Sequence, residues 1–157
     1  MVLNSICIGK IVPEMKERYL MKVQWIAILS LLTASAGFAQ TPAPTLAQNM
    51  DSISALVKTV TKNVSDSTKN TASATSAGQI ATLFTTVLSQ VPSSISALPA
   101  NQQAAALSGY QSLIQKEIDD AKALQAAFLS NNNSSASTIL QDMNTIKSQG
   151  HSTYDPN

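Results

Sequence analysis

The 157-residue chain holds one cysteine, one tryptophan, one arginine and one histidine, and the first three (Cys7, Trp25 and Arg18) all lie near its start. Beyond residue 25 no thiol remains for a disulfide, for redox chemistry or for covalent cofactor attachment through C-x-x-C-H. Without further arginine, and with its lysines scattered, the chain has no basic patch for a nucleic-acid backbone. One histidine and few carboxylates make a zinc site hard to build. Serine is plentiful, but Gly-x-Ser-x-Gly is absent and no histidine stands in a nucleophile motif, which argues against a hydrolase. Aromatic residues make up 4% of the chain and charged residues 12%. No segment alternates apolar and polar residues in period two, and no hairpin turn chemistry occurs, so the pattern points away from a sheet.

The start of the chain has a character of its own. Met21-Lys22 leads into the apolar run 23–32, and Gly37 and Ala39 stand third and first before an expected cut. A basic start, a short apolar middle and small residues at the cut describe a secretory signal peptide over residues 21–39. The apolar run is too short to span a bilayer comfortably. Residues 1–20 do not fit that pattern. Lys16-Glu17 can be encoded by a ribosome-binding sequence a few codons ahead of Met21, so Met21 is expected to be the true start and residues 1–20 a mis-assigned upstream leader. Cleavage after Ala39 would leave residues 40–157, with six lysines and seven acids, as one domain with no stable membrane anchor.

That part reads as helical. Thr45 is a suitable N-cap, and Leu46, Met50, Ile53, Val57, Val60 and Val64 follow at steps of 4, 3, 4, 3 and 4, a stripe on one face of a helix roughly 30 Å long. Residues 65–77 contain no apolar side chain larger than alanine and are expected to be a loop, with frayed helix at its end. A second helix carries Ile80, Leu83, Phe84, Val87, Leu88 and Val91 and stops at Pro92. After the connection 93–99, a third begins near Ala100 or Asn101, with Leu107, Tyr110, Ile114, Ile118, Ala121, Leu124 or Gln125, and Phe128 on its stripe. Asn131-Asn132-Asn133 breaks it. The fourth starts with Ser134 or Ser135 as cap and carries Ile139, Leu140, Met143, Ile146 and Gly150. Four amphipathic helices with short or moderate connections predict an all-α, antiparallel up-down-up-down four-helix bundle.

In that topology the start of the first helix and the end of the fourth share one end of the bundle. A thioether, Met50, and the lone imidazole, His151, are thereby placed near one end of one core. Each has an ordinary reading as well. Methionine in an apolar stripe is usually a gap-filler in the core, and a lone histidine near a chain end is usually solvated. Tyr110 is either a core residue or a site contact. Lys147 is either solvated or a partner for an acidic group one turn from His151. Adjacent residues on a helix point about 100° apart, so Asp119-Asp120 reads as a solvated face.

Three segments carry a family resemblance. Thr45-Leu46-Ala47-Gln48-Asn49-Met50-Asp51-Ser52-Ile53 resembles the opening of the soluble cytochrome b562 family. Ile118-Asp119-Asp120-Ala121-Lys122-Ala123-Leu124 resembles its third helix, and residues 141–154, with Thr145, Lys147, His151 and Tyr154 in step, resemble its closing helix. Cytochrome b562 is itself a standard instance of the up-down bundle. The resemblance implies a non-covalent haem b with Met50 and His151 as its axial iron ligands, and Ile53, Val57, Leu107, Tyr110 and Lys147 around it. It departs from the family at Gly150, where a large aromatic precedes the histidine, at Lys147, where the family has arginine, and at Leu107 and Tyr110, where the family faces haem with phenylalanines.

A haem held on both sides transfers single electrons and leaves no position for substrate. The resemblance therefore implies a periplasmic electron carrier, not an enzyme, serving redox partner proteins and expected to be a monomer. The alternative is a haem-free periplasmic helical bundle acting as a binding or stress-adaptor module.

Overall fold

The computed structural model describes residues 42–154; the expected leader and signal peptide lie outside the described residues. Thr45 opens the first helix, α1 (Leu46–Asn63), through a reciprocal cap. Its hydroxyl accepts from the Gln48 amide at 3.3 Å, and the Gln48 side chain accepts from the Thr45 amide at 2.9 Å. Two otherwise orphaned donors are satisfied in this way. Ile53 and Val60 point into the core, with Met50, Leu56, Val57 and Val64 packed at its margin.

The segment expected to be a loop is mostly helix. A 3-10 turn (Ser67–Lys69) follows Asp66, whose carboxylate accepts from the Thr68 amide and hydroxyl at 3.0 and 2.6 Å. Those two bonds hold its pKa below the ordinary carboxylate value, together with Lys69. Helix α2 (Asn70–Val87) then starts ten residues before Ile80 and ends at Val87, short of Val91, which is exposed. The reason is packing by small side chains. Asn70, Ser73, Ala74 and Ala77 are buried, and Ile80, Ala81, Phe84 and Val87 continue the same stripe. Residues of that size let two helix backbones approach closely without producing a large-residue pattern.

Pro92 opens a short helix, α3 (Ser93–Ser96), inside the expected connection, and Ile95 is buried there. Helix α4 (Ala100–Leu129) is the longest, about 45 Å by its residue count. Leu124, and not Gln125, takes the buried position. Asn131 adopts a left-handed backbone, φ 55°. The Asn131 and Asn132 amides donate back to the carbonyls of Phe128 and Ala127 at 3.0 and 2.8 Å, the bonding pattern of a Schellman stop. Asn132, in place of either serine, caps the fourth long helix, α5 (Asn133–Tyr154): its side chain accepts from the Ser135 amide at 3.0 Å.

The four long helices form a bundle. Adjacent helices run antiparallel, because Val64, Asn70, Asn131 and Asn133 meet at one end while Val87, Tyr110 and Tyr154 meet at the other. The seams α1–α2, α2–α4 and α4–α5 are closely packed, whereas α1 and α5 touch only sparingly. At the far end that open seam is bridged directly: the Asn133 side chain donates to the carbonyl of Val64, the C-cap of α1, at 2.6 Å. Among the described residues no helix is long and apolar enough to cross a membrane.

Candidate functional site

The other end of the α1–α5 seam carries the residues singled out from the sequence. Met50, in the second turn of α1, is half-buried and packs against the core. Ile53 is buried one turn later, and Val57 is half-buried. On α5, Gly150 is half-buried and His151 is exposed in the final turn, where it also has an interaction of its own. A Cβ placed on Gly150 would meet nothing within 4 Å, so there is open space beside the histidine-bearing turn.

Leu107 is half-buried against the core on α4, and Tyr110 is buried three residues later. The Tyr110 hydroxyl donates to the Val87 carbonyl at 3.5 Å, a long bond, and burial pushes its pKa up to about 12. It is therefore a neutral phenol at any ordinary pH. Tyr154 meets it edge-on, with ring centroids 5.6 Å apart and planes at 80°, a favourable aromatic geometry. Tyr110 thus has the character of a core residue at the margin of this site.

Lys147 is exposed on α5, one turn before His151. Its charge acts on Glu117 of α4, which the sequence reading passed over. Glu117 is 5% exposed, and its Oε2 has no hydrogen-bond partner. Burial raises this carboxyl to about 8; Asp120 adds to the rise, while Lys116 and Lys147 oppose it. Asp120 is half-buried with a shielded, unpartnered Oδ2. Burial raises its pKa too, against Lys116 and with Asp142 and Asp119. The solvated-face reading therefore holds for Asp119, which is exposed, and is corrected for Asp120. A hint was available in the sequence: Glu117 stands three residues after Ile114, on the apolar stripe.

The start of α1 and the end of α5 are both tied to the segment between α2 and α4. Asn49, buried beside Met50, donates to the Gln90 side chain at 3.1 Å, and Gln90 donates to the Pro44 carbonyl at 3.0 Å. Ser94 donates to the Tyr154 carbonyl. Neither Gln90 nor Ser94 stands out in the sequence, because each acts as a lone polar side chain in a connection.

Among the described residues no group of three or more His, Cys, Asp or Glu side chains could hold a metal ion. A thioether and an imidazole are donors of another kind, suited to the two axial positions of a haem iron. The profile of the family described as Cytochrome b562 matches residues 45–155. No curated protein and no solved structure matches the chain.

Proposed function

Because this chain belongs to the cytochrome b562 family, whose members are haem-binding electron carriers and not enzymes, we propose that it is a periplasmic one-electron carrier. In this reading it holds a non-covalent haem b in the α1–α5 seam, through Met50 and His151. The observation that carries the proposal is the seam itself. It is the loosest in the bundle, and a half-buried thioether and the chain's one imidazole stand on its two helices toward the same end. A thioether and an imidazole are a donor set that suits a haem iron.

A haem held there by Met50 and His151 would supply one-electron exchange. The chain's own residues do the rest. Met50 offers a soft thioether from a rigid second turn, and His151 offers an imidazole from the last. A thioether ligand would favour the reduced state and raise the potential. Ile53, Val57 and Leu107 offer apolar walls that keep water from the seam, and Tyr110 closes it on the α4 side. Lys147 is long enough to reach an acidic substituent at the rim. Export by the signal peptide at residues 21–39 would deliver the chain to the compartment where its redox partner proteins are met.

The test is the absorption spectrum of protein expressed to the periplasm, oxidised and reduced. A six-coordinate low-spin haem b spectrum is expected, with the methionine–iron band absent in Met50→Ala. The second reading, a haem-free binding or stress-adaptor module, is favoured by the exposure of His151. It predicts a colourless protein whose helical circular dichroism does not respond to added haem.

A further inference from the structure

The segment between α2 and α4 reaches both sides of the open seam at one end. Gln90 holds Asn49 and the Pro44 carbonyl on one side, and four residues later Ser94 holds the Tyr154 carbonyl on the other. Pro92 and Ile95 are buried, so the segment is rooted in the core. Tyr154 is seated as well as tethered. Its ring lies edge-on to Tyr110, and its phenol oxygen lies 2.6 Å from where a Cβ on Gly109 would stand. Glycine inside a helix is less favourable than alanine. Here the missing methyl is the notch that the phenol occupies, and the ring, wedged against Tyr110, has little freedom to move aside.

We infer that residues 88–95 form a strap that holds the Met50 turn of α1 and the His151 turn of α5 at a set separation, with Gln90 and Tyr154 as positioning residues. This rests on the proposed haem ligation and deepens it. Asn49 is the neighbour of Met50, and Tyr154 lies one turn beyond His151. Gly150 weakens the end of α5, and helix ends fray unless packed. At the far end Asn133 closes the seam directly; at this end both helices are bound to the strap. Ligand turns held in place before binding lose less freedom when they bind.

The test uses the full processed chain without cofactor, followed by amide hydrogen exchange. Tyr154→Ala and Ser94→Ala should speed exchange at residues 150–154 about tenfold, and Gln90→Ala should do so at residues 50–54. Amides of Ile114–Leu124 should be unchanged in all three. Tyr154→Phe, which keeps the ring, should behave as the parent protein does. Haemin titration of the same set should then show affinity about tenfold weaker for Tyr154→Ala and near parental for Tyr154→Phe. Unchanged exchange at both turns overturns the strap whether or not haem binds. Faster exchange with undiminished haem affinity overturns the positioning role. A parent protein that takes up no haem defeats the proposed function, and the exchange rates still decide the strap.

Discussion

The side-chain amide of Asn133 donates to the carbonyl of Val64 at 2.6 Å, joining the first turn of α5 to the C-cap of α1. Asn133 also exchanges hydrogen bonds with the buried Asn70 at 2.9 and 3.0 Å, and Asn70 reaches Asn131 at 2.9 Å. Four helix ends are thereby joined by side-chain amides. Asn133→Ala would remove the donor from both the Asn70 side-chain oxygen and the Val64 carbonyl, while Asn70 keeps its bond to Asn131. We expect a loss of about 1–3 kcal/mol in a urea titration. Asn133→Asp keeps acceptors but removes the donor to Val64, and should cost a comparable amount.

Glu117 makes the stability of the bundle depend on pH. Its carboxyl ordinarily titrates at 4.5, and burial lifts it to about 8 in the folded chain. The folded state therefore keeps a proton that the unfolded state releases. The stability this gives is fully present below pH 4.5 and is lost as pH rises to about 8. Glu117→Gln should match the parent at pH 4 and exceed it by about 1–3 kcal/mol at pH 9. Thermal melts across that range measure it. Asp120, raised in the same direction, leaves a residual slope in the variant.

Ala77 is fully buried in α2, within the stretch whose composition suggested a loop. If small size is what lets α2 pack there, Ala77→Leu should destabilise by about 1–3 kcal/mol through overpacking. Ala77→Leu in a true loop would be nearly neutral, so the same urea titration separates the two.

The expected signal peptide predicts a mature chain that begins at Gln40. Mass spectrometry of periplasmic protein should find that terminus. Peptides from residues 1–20 in the precursor would overturn Met21 as the start.

Much of the fold was legible because large apolar residues mark the faces of α1, the second half of α2, α4 and α5, and because Pro92 and the Asn131–Asn133 run act locally. The first half of α2 was hidden because its buried face is Asn, Ser and Ala, residues that loops also favour. Glu117 was hidden by the assumption that acids face water, although its position on the stripe of α4 gave it away. Of the site, the shared end for Met50 and His151 followed from topology, and their proposed pairing rests on family resemblance. The strap could not be read, since Gln90–Asn49 and Ser94–Tyr154 are contacts 41 and 60 residues apart between residue types that carry no pattern.

The measurement closest to the central claim is a haemin titration of the processed, cofactor-free protein, followed by absorbance in parallel with His151→Ala and Met50→Leu. The account predicts one haem per chain with a low-spin, six-coordinate spectrum in the parent, and loss of six-coordination in each variant. No uptake by the parent, or a bound spectrum that neither substitution alters, would contradict it.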